Sequence, residues 1–292
     1  MRPANLVTAV ADIFAGLTIA GFTFNDMTPL PLILSTLGLY GGGVVMNDVF
    51  DARLDAIERP ERPIPSGKVP LLAARSLGFT LLTFGILAAT LSSFESGIIA
   101  LVIALLTVLY NRFAKHHKVF GPVVMGMCRG ANLILGMSLF PESFVKWGWI
   151  ALVPIIYIGA ITMISQDEVH GGKQRTLLLA AVFYLTVLII QLIVSDSNGN
   201  LFLTLPFILL HVWLIGRPLY NAYQNPIGPL IGKAVKAGVI SLIVMNASWC
   251  MTFASNLTFI SKSVCCNLKR VTGAVHPDKH PFLAQIGSFR IK

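Results

Sequence analysis

Three aspartates that follow a long apolar segment have the spacing of a set of ligands on one helix. Asp48, Asp51 and Asp55 occupy positions i, i+3 and i+7, so a helix would place all three on one stripe. Neighbouring carboxylates repel one another unless a cation lies among them, and Mg²⁺ is commonly shared between carboxylates and substrate phosphates. The stripe therefore predicts a Mg²⁺–diphosphate site with these aspartates as metal ligands and catalytic groups, to which Asn47 adds a side-chain oxygen.

A loop rich in arginine and proline follows the aspartates directly. Arg59 and Arg62 carry guanidinium groups that can bind phosphate oxygens in a bidentate manner, and we predict catalytic roles for both. Pro60, Pro63 and Pro65 end the helix and stiffen the loop that carries the arginines. The alternative is an acidic helix end in water, which does not explain the spacing of the aspartates beside an Arg-Pro-Glu-Arg-Pro run.

The composition indicates which elements position these groups. Of the 292 residues, 55% are hydrophobic and 12% are charged, and the mean hydropathy is +0.75. Soluble domains carry roughly 25% charged residues, so most of this chain must have lipid as its solvent. A disordered chain, a nucleic-acid-binding domain and a disulfide scaffold are excluded, and we expect no nucleic-acid partner.

Nine apolar runs predict membrane-spanning helices, since a helix needs about 20 mostly apolar residues to cross the hydrocarbon layer. Sheet edges would leave backbone groups unpaired in lipid, so the fold class is an all-α polytopic bundle. A Gly41-Gly42-Gly43 run permits close helix contact before the first polar loop. The predicted spans are residues 6–24, 29–49, 74–92, 95–113, 119–140, 147–165, 176–194, 200–216 and 234–256.

The basic residues predict the orientation of the bundle. With the N-terminus inside, fourteen lysines and arginines lie in inner loops and Lys146 alone lies in the outer ones. The positive-inside rule makes the inner face cytoplasmic in a bacterial inner membrane, or stromal in a plastid. The basic tail over 261–292 disagrees with this pattern, so we expect a membrane domain over 1–260 and a poorly ordered tail.

The residues from Asn47 to Gly67 resemble the first aspartate-rich motif of the UbiA superfamily of intramembrane prenyltransferases. The match comprises Asn47-Asp48-x-x-Asp51-x-x-x-Asp55 and then Arg59-Pro60-x-Arg62-Pro63-Ile64-Pro65-Ser66-Gly67. The resemblance extends over roughly 1–250. It implies a bundle around a central cavity and the transfer of a prenyl group from a prenyl diphosphate to an acceptor, which is usually aromatic.

The family's second acidic motif, Asp-x-x-Asp-x-x-Gly-Asp, is altered here. Aligned on Gly171, Glu168 takes the place of an aspartate as a metal ligand, and Gly172 replaces the last aspartate. Asp167 is a candidate off-register ligand, and His170 is more often a loop histidine than a metal ligand. Asp167, Glu168 and His170 are all candidate substrate-binding residues. The Glu-Val-His-Gly-Gly form resembles the divergent branch associated with the Ebo proteins of bacteria and algae.

Further residues are candidates for substrate binding. Tyr110 lies in a segment that resembles the family, and Lys118 is a candidate partner for the departing charge. Arg129 and Asn132 share a helix face inside a span, where a charge usually faces a cavity or a partner. We expect both to contact diphosphate or acceptor, although a structural pair between Arg129 and Asp12 is an open alternative.

These patterns predict a Mg²⁺-dependent integral-membrane prenyltransferase. Its partners would be a prenyl diphosphate, an aromatic or other lipophilic acceptor, and membrane lipid. Two alternatives stay open, namely a non-catalytic relative that only binds a prenyl lipid, which Gly172 favours, and a membrane transporter. A transporter is less favoured because the acidic motif lies at the membrane edge and has no inverted duplicate.

Overall fold

The computed structural model describes residues 3–22, 29–166 and 172–254, and these residues form helices without any strand. A π-helical turn over Tyr110–Ala114 extends the fourth helix, and a 3₁₀ turn over Gly148–Ala151 joins the sixth to the seventh. The helices are α1 (Pro3–Ile19), α2 (Leu30–Glu58), α3 (Leu71–Thr90), α4 (Phe94–Leu109), α5 (Phe120–Met137), α6 (Glu142–Trp147), α7 (Leu152–Ser165), α8 (Gln174–Ser197), α9 (Leu201–Gln224) and α10 (Gly228–Thr252).

The helices confirm the predicted all-α membrane bundle. Within the described ranges, eight helical segments are long and apolar enough to cross a bilayer, and α1 is a shorter apolar helix. Each of the nine predicted spans overlaps one of these segments. The predicted tail over 261–292 lies outside the described residues.

The helix of the second predicted span continues beyond its apolar run. The predicted span ends at residue 49, whereas α2 continues as helix to Glu58 and ends just before Pro60, as the prolines predict. The apolar pattern stops where charged residues begin, yet a helix can continue out of the lipid because its backbone hydrogen bonds are internal. The aspartates therefore lie on a helix that is anchored in the bundle.

Glycines anchor α2 against its neighbours. A Cβ atom at Gly42 would lie 3.0 Å from the carbonyl oxygen of Gly78 on α3, and one at Gly43 would lie 2.8 Å from Thr107 Cγ2 on α4. Side chains at these positions would push the helices apart, so the glycines permit close packing of α2 on α3 and α4. The predicted role of the glycine run is thereby confirmed for these two residues.

Two apolar cores share α1 and α5. One is formed mainly by α2, α3 and α4 packed on α1 and α5, and the other mainly by α7, α8 and α10 on the opposite side. A Cβ at Gly136 of α5 would lie 2.5 Å from the carbonyl oxygen of Ile13 on α1, so these two helices are in near-backbone contact. The pair forms a rigid partition to which both halves of the bundle are fixed.

Candidate active site at one end of the bundle

The aspartate stripe occupies the last three turns of α2. Asp48 has a half-exposed side chain, whereas the side chains of Asp51 and Asp55 are largely buried, at 13% and 7% exposure. The helix ends because Arg59 precedes a proline and leaves helical geometry, while its amide still donates to the carbonyl oxygen of Asp55 at 2.8 Å. All three carboxylates are thus held by regular helix and face the loops at one end of the bundle.

Arg62 folds back from the following loop onto the stripe. Its Nη1 donates to Asp55 Oδ2 at 2.7 Å and lies 3.6 Å from Asp48 Oδ1. Successive turns create this return, because the Arg62 amide donates to the Arg59 carbonyl and Gly67 adopts a positive φ of 74° that favours glycine. Partial burial lowers the pKa of the Arg62 guanidinium, but the hydrogen bond and charge of Asp55 outweigh it and hold the pKa above its ordinary value.

Lys115 contacts the aspartate stripe of α2 from a different segment than Arg62 does. Its ammonium group forms an ion pair with Asp51 from the residue that follows the π-helical turn. Asn111 lies in the same turn. Its side-chain amide is 2.9 Å from the side-chain amide of Asn47, and its Nδ2 donates to the carbonyl oxygen of Gly43 at 3.2 Å. The turn therefore positions two side chains of the α4 end against the acidic end of α2.

Sequence reasoning missed Lys115 and Asn111 and named Lys118 and Tyr110 instead. Lys118 is exposed and has no ion pair within the described residues, and Tyr110 is half-buried at the start of the π-helical turn. The i, i+4 spacing of Asn111 and Lys115 was the available signal, since it places both on one helix face. We name Asp48, Asp51, Asp55, Arg62 and Lys115 together the rim cluster.

Arg59 lies apart from the rim cluster. Its side chain is exposed and forms no ion pair within the described part of the chain. The catalytic role that its sequence position suggests stays a prediction.

Arg129 and Asn132 lie in a second polar cluster inside the bundle. Arg129 Nε is 3.0 Å from Asp12 Oδ2, and Asn132 Nδ2 donates to the same oxygen at 3.2 Å. Asn246 donates to Asp12 Oδ1 at 2.7 Å, and Thr36 donates to Asn132 Oδ1 at 2.8 Å. We name these five residues the buried cluster; it holds the pair between Arg129 and Asp12 that was left open as an alternative.

The second acidic motif can be located only through its flanks. Asp167, Glu168 and His170 lie outside the described residues, so their predicted roles stay predictions. Gln166, the residue before them, lies near the end of α4, because Gly121 is close to both segments. A Cβ atom at Gly121 would lie 3.2 Å from the Lys115 carbonyl oxygen and 3.5 Å from Gln166 Nε2. The loop that carries the second motif thus begins beside the segment that binds Asp51.

The donor set of the rim cluster suits Mg²⁺ shared with a substrate. No three His, Cys, Asp or Glu side chains in the described ranges converge into a ready-made metal cage. Mg²⁺ usually keeps several waters and binds one or two carboxylates plus substrate phosphates, so it does not require such a cage. Asp48, which is half-exposed, and Asp51 are oxygen donors of the right kind and would hold the ion together with a diphosphate.

The fold and the site together define a polytopic membrane protein with an acidic, arginine-flanked site at one end of its helices. A model of the UbiA prenyltransferase family matches residues 9–225. The chain therefore belongs to the UbiA prenyltransferase family and is an integral membrane protein. The Ebo-type branch stays a prediction.

Several relatives are named digeranylgeranylglyceryl phosphate synthase. The one from Methanoregula boonei is 38% identical over 202 residues, which cover 61% of this chain and 69% of that protein. The one from Metallosphaera sedula is 29% identical over 172 residues, and the match covers 59% of this chain and 60% of that protein. This chain thus spans less than two thirds of the length of the second relative.

Solved structures share the fold. An apo structure of a UbiA homolog from Aeropyrum pernix K1 has a TM-score of 0.70 at 13% identity, covering 85% of this chain and 98% of that one. A structure from a study of digeranylgeranylglyceryl phosphate synthase in membranes has a TM-score of 0.63 at 19% identity, covering 86% and 94%. At these identities the likeness establishes the architecture alone.

Proposed function

We propose that this protein transfers a prenyl group from a prenyl diphosphate to a lipophilic acceptor, and that the transfer requires Mg²⁺. The observation that carries the proposal is the rim cluster, in which three aspartates on one helix stripe are bridged by cations from two different loops. A diphosphate is charged and a prenyl tail is apolar, so the site must lie where a membrane helix meets water. The end of α2 meets this requirement.

We assign Asp48, Asp51 and Asp55 to the first Mg²⁺ site and Glu168, with Asp167, to a second. When bound, Mg²⁺ would supply positive charge that neutralises the diphosphate and makes it a better leaving group. The beginning of the second acidic loop beside Lys115 supports the assignment, because it directs both motifs to one end of the bundle.

Arg62 and Lys115 would bind the diphosphate in addition to the aspartates. Each forms an ion pair with a carboxylate of the rim cluster. A metal–diphosphate complex would release both cations from the aspartates and leave them within reach of phosphate oxygens. The same side chains would therefore neutralise the aspartates and the departing charge in turn.

The reaction would break the bond between C1 of the prenyl chain and the diphosphate oxygen, and diphosphate would leave with the electron pair. An allylic cation would remain, which water would quench, so the chemistry needs a dry surrounding of apolar helices. An oxygen or carbon atom of the acceptor would then form the new bond and release a proton. Tyr110, half-buried beside the site, is a candidate for stabilising the cation through its ring face.

Two classes of acceptor follow from different observations. The family resemblance favours an aromatic acceptor, whereas the names of the relatives favour a prenylated glyceryl phosphate, in which a hydroxyl group is alkylated. We infer the second class from the 38% identity to the Methanoregula boonei protein. Supplying each acceptor with labelled donor and identifying the product by mass spectrometry decides between them.

The central experiment measures diphosphate release by purified protein. Prenyl diphosphates of increasing length are supplied with an acceptor and either Mg²⁺ or EDTA. We expect release that requires Mg²⁺, that is lost in Asp51→Asn, and that is retained in Asp196→Asn, which removes an exposed carboxylate of α8. Diphosphate release that is unchanged both by EDTA and by Asp51→Asn would reject the proposal.

Two other outcomes would identify the alternative functions. Tight binding of the donor without turnover would indicate a lipid-binding relative. Movement of substrate across liposomes without diphosphate release would indicate a transporter.

We also propose that the rim cluster faces the cytoplasm or the stroma. The fourteen basic residues of the predicted inner loops support this orientation. Labelling of a single cysteine introduced at exposed Lys68 by a membrane-impermeant maleimide, in intact cells and in inverted vesicles, tests it. Labelling confined to inverted vesicles is the expected result.

A further inference from the structure

A cleft between α9 and α10 lies outside the rim cluster. It has a volume of about 340 Å³, and its lining comprises Trp213, Leu214, Arg217, Pro218, Lys233, Lys236, Ala237 and Ile240. The lining residues follow helical spacing on both helices, at i and i+4 on α9 and at i, i+3 and i+7 on α10. Two facing stripes therefore form the walls of the cleft.

Three basic side chains line one part of the cleft. Arg217, Lys233 and Lys236 are exposed, and none of them forms an ion pair within the described residues. Three cations brought together without a carboxylate partner repel one another. An anion that binds among them relieves this repulsion.

Charge and apolarity are separated along the helix axes. Arg217 lies seven residues before the end of α9. Lys233 and Lys236 lie five and eight residues after the start of α10. At the rise of an α-helix, all three basic residues are about 8–12 Å from the adjoining ends of these two helices. Trp213 and Ile240 lie about 17–18 Å from those ends at the same rise per residue. The cleft is thus basic near the end of the bundle and apolar one to two turns deeper.

The deeper part of the cleft is accessible from the outside of the bundle. Trp213 is 64% exposed and Ile240 is 40% exposed, so the deeper part is on the outer surface of the bundle. Pro218, one turn from Leu214, has no amide hydrogen to donate to the Leu214 carbonyl, which interrupts the helix ladder at the wall of the cleft. Basic pockets between membrane helices bind anionic lipid head groups.

We propose that this cleft binds a membrane phospholipid with an anionic head group. The phosphate of the lipid contacts Arg217, Lys233 and Lys236, and the upper part of an acyl chain lies against Trp213, Leu214 and Ile240. The lipid spans α9 and α10 from outside and fixes their relative position. The loop between these helices contains Pro226, whose carbonyl oxygen accepts a hydrogen bond of 3.1 Å from the amide of Gly172. Gly172 flanks the second acidic loop, so a lipid that fixes α9 and α10 also fixes the position of this flank.

Quenching of tryptophan fluorescence by brominated lipids tests the proposal in the full-length chain. The protein is placed in nanodiscs of phosphatidylcholine that contain a small fraction of phosphatidylglycerol, with bromine on the acyl chains of one lipid at a time. The chain has four tryptophans, and the difference between the wild type and Trp213→Phe isolates the signal of Trp213. We expect phosphatidylglycerol to quench Trp213 at about tenfold lower mole fraction than phosphatidylcholine does.

The triple variant Arg217→Gln/Lys233→Gln/Lys236→Gln should remove this preference. Lys236→Gln alone should lower it by about threefold, which keeps the test decisive if the triple variant does not fold. The matched control is Lys68→Gln/Arg75→Gln/Arg112→Gln, which removes the same charge from exposed residues away from the cleft and should retain the preference.

Three results would overturn the proposal. Equal quenching by both lipids would show that the cleft does not select head groups. Equal loss in the control triple would assign the preference to general surface charge. Displacement of phosphatidylglycerol by inorganic phosphate or by a prenyl diphosphate at a comparable concentration would assign the cleft to a free anion or to substrate.

Discussion

The buried cluster and the rim cluster contain the same kinds of group but hold them differently. In the buried cluster, Asp12 is bound by Arg129 and by the amides of Asn132 and Asn246, all from regular helix. In the rim cluster, Arg62 and Lys115 reach the aspartates from a loop and from the residue after a π-helical turn. The first arrangement is held by four packed helices, whereas the second joins one helix to a loop and to the residue that follows a π-helical turn.

Charge balance separates the two clusters further. The buried cluster pairs one carboxylate with one guanidinium, so it carries no net charge. The rim cluster has three carboxylates and two cations, which leaves one negative charge and a half-exposed Asp48. A neutral, enclosed set stabilises the fold, and an acidic, accessible set attracts a cationic ligand.

Breaking the buried pair should have the largest effect on stability. Arg129→Met leaves Asp12 without its counter-charge inside the bundle, and we expect a loss of about 3–5 kcal/mol in the free energy of unfolding. Unfolding in mixed detergent micelles measures this loss. The double variant Asp12→Asn/Arg129→Gln removes both charges and should recover most of it; equal instability of both variants would show that shape, and not charge, decides this region.

Removing a rim carboxylate should cost activity and little stability. We expect Asp51→Asn to lower kcat/KM by about 100- to 1,000-fold, since it removes charge from the proposed metal–diphosphate site. Its unfolding curve should match that of Asp196→Asn. If Asp51→Asn instead unfolds like Arg129→Met, the rim cluster is structural and the distinction between the clusters fails.

Replacing Lys115 should separate metal binding from turnover. Lys115→Met frees Asp51, so we expect Mg²⁺ to bind about five- to tenfold more tightly without substrate. Diphosphate release should fall by about tenfold, because a cation that binds the leaving group is missing. Isothermal titration and steady-state kinetics measure these two changes, and Lys118→Met, a nearby exposed lysine, should change neither. Parallel losses of metal affinity and rate would contradict the exchange of Lys115 between aspartate and phosphate.

The smallest effect on activity is expected from the helix contact beneath the rim cluster. Gly42→Ala places a methyl group 3.0 Å from the Gly78 carbonyl oxygen, so α2 must shift away from α3. We expect a loss of about 1–3 kcal/mol in stability and a smaller change in kcat/KM than Asp51→Asn gives. Gly159→Ala on α7, where a Cβ meets nothing within 4 Å, is the matched control.

The fold was predictable because lipid imposes a coarse rule. Long apolar runs must be helices, and each predicted span has its helix. The end of α2 was not predictable by hydropathy, since a helix that leaves the membrane carries charged residues while its backbone continues unchanged. Local spacing placed Asp48, Asp51 and Asp55 on one stripe, which needs only the geometry of a single helix.

Contacts between distant segments were harder to decide from the sequence. Lys115 and Lys118 are both basic residues of one short loop, and the structure places Lys115, directly after the π-helical turn, against Asp51. Arg129 and Asn132 were expected at the substrate because a charge in a span needs a partner. The sequence also offered Asp12, 117 residues away, as that partner, since both are rare charges inside spans, but it could not choose between Asp12 and the substrate; the structure shows the pair with Asp12.

The length of α2 ties the chemistry to the thickness of the surrounding bilayer. Its 29 residues extend about 43 Å, whereas the hydrocarbon layer measures about 30 Å, so the helix protrudes by more than two turns. If the apolar part of α2 spans the hydrocarbon layer, the aspartates lie beyond it, at the height of the lipid phosphates. A bilayer of longer acyl chains would then bring them closer to the hydrocarbon and a thinner one would move them further into water, so we expect the rate of the proposed reaction to depend on bilayer thickness.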